Sequence, residues 1–281
     1  MTCHGKVIHR EGRREIIACE KCGYHHVLPM YTETELETFY ENHYAESTPS
    51  HLFAQKVRRI SKFKSGGRVL DIGCWNGIQL AYFKDAGWDC TGTELNKKAA
   101  REAETKGIQV YQISIRTFFD RFTDERWDVI NVAYILEHIP APREFLSRIH
   151  GNLEVGGILV IEVPNEFNPL QIAYTRHQAT DPYWVTLPDH LNYFDTQSLE
   201  SLAVASGFEI LFKEVSFPME LFLLMGDDYV KDRSIGPGCF QKVVKMEEAL
   251  LENNPEALGD MYAALYTAGI GRSLILYCHK S

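Results

Sequence analysis

The run Arg68 to Gly77, RVLDIGCWNG, constrains this chain more than any other stretch. Val69, Leu70 and Ile72 form a short apolar segment with β-branched members, suited to a buried strand. Gly73 and Gly77 follow, and Ile78, Leu80, Ala81 and Phe83 then recur at helical spacing. The pattern predicts strand, tight glycine turn, helix. At Gly73 the missing Cβ lets the backbone bend sharply and lets a ligand come close. About twenty residues on, Thr91-Gly92-Thr93-Glu94 ends a second strand in an acid, whose carboxylate can accept hydrogen bonds from both hydroxyls of a ribose. This is the frame of a nucleoside-binding βαβ unit.

The chemistry of the turn narrows the nucleoside. A dinucleotide site wants G-x-G-x-x-G, which sets amide N–H groups against a pyrophosphate. Here Trp75 takes the middle position, and Asp71 precedes the first glycine by two residues. A carboxylate there repels a pyrophosphate and suits a ligand with an ammonium group and no phosphate. S-adenosylmethionine (SAM) combines a ribose, an amino-acid end and a sulfonium cation. The run resembles motif I of the class I SAM-dependent methyltransferases, L-D-[IV]-G-C-G-x-G, with Trp75 replacing the second glycine. That replacement would crowd the methionine end or add an aromatic wall. The resemblance implies cofactor contacts from Asp71, Gly73, Cys74, Trp75, Gly77, Glu94 and Leu95, with Ser114 and Ile115 at the adenine. Ser114 stands where the family usually has an acid, so Gln112 or the backbone are alternatives for that contact.

Charge and cysteine usage bound the partners. The formal charge is −9 with no basic tract, against the clustered Lys and Arg of a large nucleic-acid footprint. No apolar run approaches the roughly 20 residues of a membrane span. The first residues carry no apolar signal core, so the cytoplasm is the expected location. Seven cysteines, an odd number, argue against a disulfide framework in such a chain. Cys19-Glu-Lys-Cys22-Gly23 is instead a C-x2-C-G knuckle, a common half of a zinc site. Cys3 lies upstream, and the fourth donor is expected among His4, His9, His25 and His26, with His25 the first choice. A small hairpin has little core, so a metal would be its main source of stability. The alternative is a degenerate hairpin with spare thiols.

Further along, Thr32 or Thr34 is placed to cap a short helix carrying Leu36, Phe39 and Tyr40. Tyr40 and Tyr44, four apart, would share a face. A knuckle, a proline and an F-Y…Y segment resemble the start of many bacterial small-molecule methyltransferases, in which the tyrosines fold over the cofactor; plain helix packing is the alternative. Residues 51–63 form an amphipathic helix with Leu52, Phe53, Val57 and Ile60 inward.

The fourth strand, Trp127 to Val132, runs into Ala133-Tyr-Ile-Leu-Glu-His-Ile-Pro140. Ligands bind outside the carboxyl ends of parallel strands, so Ala133, Glu137 and His138 should border the transferred methyl. L-E-H-I-P resembles the corresponding segment of small-molecule methyltransferases, not the [DNS]-P-P-[YFW] loop of enzymes acting on exocyclic amines. His138 is the first candidate base, with Glu137 able to tune it. A fifth strand spans 156–165. A long aromatic loop follows, Glu166 to Thr186, and leads to Asp189-His-Leu-Asn-Tyr-Phe194. His190 is the second candidate base. Strands near 208–212 and 272–277 enclose an insertion with helices near 240–253 and 256–268. There Met219, Phe222, Leu223 and Met225 read as core before pocket.

The expected fold is α/β: a Rossmann-like, seven-stranded methyltransferase sheet in the order 3-2-1-4-5-7-6 with the last strand antiparallel. The expected division is a knuckle and cofactor-covering helix over 1–45, a SAM-binding core over 46–216, a helical lid over 217–270 and the final strand over 271–281. The expected activity is SAM-dependent O-methylation of a small polar metabolite, a sugar or sugar-linked compound, with structural zinc as a second bound group. No nucleic-acid or membrane partner is expected, and the oligomeric state is open. Two rivals are an N- or C-methyltransferase and a non-catalytic SAM-binding or zinc-dependent docking protein.

Overall fold

The computed structural model describes residues 3–32, 34–36, 39 and 52–281. Strands β1 (Gly5–Glu11), β2 (Arg14–Cys19) and β3 (His25–Leu28) form an antiparallel ribbon with β2 in the middle. Thr32 and Glu35 then make a reciprocal capping box. Glu35 N donates to Thr32 Oγ1 at 3.3 Å, and Thr32 N donates to Glu35 Oε2 at 2.8 Å. Tyr40 and Tyr44 lie outside the described residues.

Helix α1 (Leu52–Ser61) buries Val57 and Ile60 as its period predicts, and also Gln55 and Lys56. The α/β core follows: β4 (Arg68–Ile72), α2 (Ile78–Asp85), β5 (Asp89–Thr93), α3 (Lys97–Thr105), β6 (Gln109–Tyr111), α4 (Ile115–Arg121), β7 (Trp127–Ala133), α5 (Pro142–Asn152) and β8 (Leu153–Pro164). The near-continuous burial of Val69, Leu70, Val129, Ile130, Val132 and Leu159 to Ile161 marks strands covered on both faces. Beyond β8 come α6 (Pro169–Gln178), β9 (Asn192–Tyr193), α7 (Thr196–Ala205), β10 (Phe208–Val215), α8 (Glu220–Met225), α9 (Gly236–Asn253), α10 (Pro255–Thr267) and β11 (Ser273–Lys280).

The large sheet runs β6-β5-β4-β7-β8-β11-β10, which is the order 3-2-1-4-5-7-6. The pairs from β6 to β8 are parallel. At one end of the β10–β11 pair, Ser216 N donates to Ser273 O at 3.2 Å. At the other, His279 Nε2 lies 2.8 Å from Glu209 Oε2. The start of one strand therefore adjoins the end of the other, and β11 is antiparallel. Strand β9, from the D-H-L-N-Y-F run, pairs not with this sheet but with β3, as the fourth strand of the N-terminal sheet.

The chain divides into two compact bodies. One comprises Met1–Met30, Val163–Ser201 and Phe212–Ile275; the other comprises Tyr31–Glu162, Leu202–Leu211 and Leu276–Ser281. In the first, Phe222, Cys239 and Val243 form a small core with Phe217, Met219 and Tyr229 packed on it. Met225, by contrast, is largely exposed.

The expected loop 166–186 contains α6. Asn168 Oδ1 accepts from Leu170 N and Gln171 N, and Pro169 occupies the first turn. The Asn-Pro pair was the legible sign of that helix; the aromatic content masked it. Asn168 Nδ2 also donates to Asn165 O at 2.7 Å. Asn168→Ala is expected to cost about 1–2 kcal/mol. At roughly 2–4 °C of Tm per kcal/mol, a thermal melt within a degree of the parent would contradict this account of the helix start.

Candidate functional site

In the second body, the glycine turn is held by the acid at the end of β5. Gly73 and Gly77 have φ near +71° and Trp75 has φ +51°. Trp75 thus keeps the left-handed conformation that a glycine adopts without strain. Its N–H donates to Glu94 Oε2 at 2.9 Å, while Asn96 N donates to Glu94 Oε1 at 2.7 Å. One carboxylate therefore fixes the turns after both β4 and β5. A Cβ on Gly73 would run into the Ile135 side chain, and one on Gly92 into Cys74 Sγ. Cys74 consequently points down against the sheet, and only its backbone borders the turn.

Asp71 is buried on β4 and accepts from Asn131 Nδ2 at 2.6 Å. Burial pushes its carboxyl up to about 6, against the pull of Asn131 and Lys56 and with a further push from Glu94. Glu94 is also raised by burial, opposed by backbone N–H groups. Lys56 Nζ meets Glu162 Oε2 at 2.6 Å, both side chains buried. Removing one partner of such a pair costs about 3–5 kcal/mol. Tyr134 Oη donates to the other Glu162 oxygen at 3.0 Å. Tyr134 stands at φ +55° just past β7, and its ring is half-exposed.

In the first body, the buried Glu166 pairs with the half-buried His190. His190 Nδ1 lies 2.8 Å from Glu166 Oε1 and 3.0 Å from Oε2. Burial raises the Glu166 carboxyl, and the His190 contact works against that rise. A carboxylate so placed holds the imidazole's orientation and stabilises its protonated form.

The same body gathers Cys3, Cys19, Cys22 and His26, whose ligand atoms all lie within 4.8 Å of one another. Cys3 Sγ and Cys22 Sγ are 3.6 Å apart, close to the edge of a tetrahedron with metal–sulfur bonds of about 2.3 Å. Cys22 N reaches Cys19 Sγ at 3.4 Å, and Gly23 takes φ +80° to close the knuckle. Burial opposes ionisation at Cys19, but the backbone N–H groups of Cys22 and Lys21 help bring it down to about 6; burial pushes Cys22 up to about 12. His26 Nδ1 is 3.1 Å from Val27 O, while its Nε2 is buried without a hydrogen-bond partner. That arrangement fixes the tautomer with a lone pair at Nε2, as a metal ligand requires.

The sequence matches the methyltransferase-domain family over residues 42–212. The chain belongs to that family. This methyltransferase-family chain is 30% identical over 109 residues to a ubiquinone biosynthesis O-methyltransferase of Actinobacillus pleuropneumoniae, covering 36% of this chain and 47% of that protein. It is 32% identical over 115 residues to the enzyme of that name from Aeromonas salmonicida, covering 38% and 48%. It thus spans about half the length of the curated relatives it matches. A SAM-dependent methyltransferase from Archaeoglobus fulgidus has the same fold, with a TM-score of 0.52 at 21% identity over 82% of this chain and 93% of that one. So does the plantazolicin methyltransferase BpumL, solved in complex with a monoazolic desmethylPZN analog and SAH, with a TM-score of 0.51 at 17% identity over 89% and 90%.

The class I methyltransferase fold gives SAM as the cofactor to test against these residues. They suit it. Leu95, more than half exposed beside Glu94, offers an apolar surface for a base next to the acid suited to the ribose. Asn131 Oδ1 is buried without a partner beside Asp71, so this end of the cradle lacks one donor, which an ammonium group can supply. Ile115 and Ala133 are half-buried at the ends expected for them. Ser114 caps α4 through Thr117 N at 3.1 Å, so its hydroxyl is already engaged.

Two expectations change. His26, not His25, joins the three thiols, because neighbouring residues on a strand face opposite ways. His25 instead packs against the Phe167 ring at 5.5 Å. Glu137 is buried but lies 3.8 Å from His138 Nε2, too far to orient it by a hydrogen bond. Sequence reasoning missed Glu166, Lys56, Glu162 and Asn131. Each of the last three is a polar residue in an otherwise apolar strand or helix face, which was the available signal.

Cation binding favours the ionised form of Asp71. Adenosylhomocysteine affinity is therefore expected to rise with pH through about 6 and to level off above it. Asp71→Asn should weaken binding roughly tenfold or more and flatten that rise. Isothermal titration from pH 5 to 8 checks both; an unchanged pH dependence in the variant would exclude Asp71 as its source.

Proposed function

We propose that this protein moves a methyl group from SAM to a hydroxyl of a small polar acceptor, a sugar or a sugar-linked metabolite. The observation that carries the hydroxyl chemistry is the His190–Glu166 contact at 2.8 Å. A hydroxyl must lose its proton as the carbon–oxygen bond forms, and an oriented imidazole is suited to take it. SAM supplies an electrophilic methyl on a sulfonium leaving group. Glu94 is set to take the ribose hydroxyls and Asp71 the ammonium. Glu166 holds Nδ1–H of His190, and the acceptor's proton goes to Nε2. Holding acceptor and methyl in line contributes roughly 7–11 kcal/mol, and the base about 10²–10⁴ in rate. The O-methyltransferase relatives point the same way. His138 is the second candidate base; Glu137 Oε1 stands 3.8 Å from its Nε2, against 2.8 Å between Glu166 and His190.

His190→Ala should lower kcat by about 10²–10⁴ while adenosylhomocysteine still binds, and Glu166→Gln should lower it less and move the pH profile. Full turnover in His190→Ala, with loss in His138→Ala, would transfer the base role to His138. Product analysis with matched alcohol and amine acceptors separates O- from N-methylation.

We propose too that Cys3, Cys19, Cys22 and His26 hold one structural zinc ion, supported by the unpartnered Nε2 of His26. The four donors leave no open position, so the ion would stabilise the N-terminal sheet and take no part in transfer. Elemental analysis should find one zinc per chain, lost in Cys22→Ser. Chelation should lower the melting temperature; a protein that purifies without metal and melts unchanged with chelator has no such site.

A further inference from the structure

Glu220, the first residue of α8, is fully buried. Its Oε1 accepts from Arg272 Nη1 at 2.9 Å, Gln171 Nε2 at 3.3 Å and Tyr183 Oη at 3.4 Å. Its Oε2 is equally buried and has no hydrogen-bond partner; nor have Gln171 Oε1 and Trp184 Nε1. Three donors crowd one carboxylate oxygen while the other receives none. An ion pair built only for stability would use both oxygens, since an unmet buried polar atom costs about 1–3 kcal/mol. Arg272 keeps 46% of its side-chain surface accessible although its partner carboxylate has none. Aromatic rings pack beside the cluster: the Tyr183 ring lies 5.2 Å from Trp184 and 5.8 Å from Tyr174.

Because Gln171 donates to Glu220, its own free oxygen lies near that carboxylate. Two neighbouring acceptors need two neighbouring donors, and the indole N–H needs an acceptor. Adjacent hydroxyls supply both. We propose that Glu220 Oε2, Gln171 Oε1 and Trp184 Nε1 bind a vicinal diol of the acceptor, an inference that rests on the hydroxylated acceptor argued above. The diol can belong to a pyranose or to an aromatic ring, and the test separates them.

The full chain, saturated with adenosylhomocysteine, is titrated with the methyl pyranosides of glucose, mannose and rhamnose and with catechol. Each is compared with its counterpart lacking one hydroxyl. At least one diol should bind, and loss of a hydroxyl should weaken it about tenfold. Glu220→Gln should weaken it by a similar factor and leave adenosylhomocysteine affinity unchanged. Trp184→Phe keeps an aromatic ring while removing the N–H with the pyrrole part of the indole, and should weaken binding about threefold to tenfold; it carries the test if Glu220→Gln does not fold. Pyranoside binding assigns a sugar and catechol binding an aromatic diol, and either supports the recess. Failure of every diol to bind, or unchanged binding in both variants, overturns it and leaves these atoms to buried water. A diol that binds but is never methylated refutes the methyl-transfer reading and leaves the recess standing.

Discussion

The carboxylate of Glu94 is the constraint on which the cofactor-binding body depends. Each oxygen takes one backbone N–H, from Trp75 after β4 and from Asn96 after β5. A turn holding a tryptophan at φ +51° is strained by roughly 1–2 kcal/mol, and a charge-assisted hydrogen bond of about 1.5–3 kcal/mol offsets that. The same carboxylate retains lone pairs for a ribose. The bond to Trp75 N–H explains how the second glycine of the family pattern can be absent without loss of the turn.

Four of the buried acids described above each meet a polar or charged partner. Asp71 leans on Asn131, Lys56 on Glu162, Glu166 on His190 and Glu220 on Arg272. A lone buried charge would cost several kcal/mol. Each pair also leaves its acid oriented. Distance distinguishes the two histidines singled out from sequence: in the first body His190 Nδ1 lies 2.8 Å from Glu166, and in the second His138 Nε2 lies 3.8 Å from Glu137.

Much of the fold was legible in advance. The glycine turn, the acid at Glu94, the parallel apolar strands and the order 3-2-1-4-5-7-6 are all observed. The helix from Pro169 was not foreseen, because its few apolar residues, Leu170, Ile172 and Tyr174, show no clean helical period and only Asn168-Pro169 announces it. Nor was the pairing of β9 with β3, since a two-residue strand carries no pattern of its own. For the Cys3, Cys19, Cys22 and His26 cluster, spacing identified the thiols but left four histidines open, and strand alternation brings His26 to them.

By itself the sequence determined whatever depends on local backbone chemistry: where the chain bends without a Cβ, where an acid ends a strand, which runs are apolar enough to be covered on both faces. These follow from neighbours along the chain. Tertiary structure alone decided which distant side chains share a buried space. Glu166 meets His190 across 24 residues, Lys56 meets Glu162 across 106, and Arg272 meets Glu220 across 52. The energy of a buried charge depends on what packs around it, and no periodicity records that.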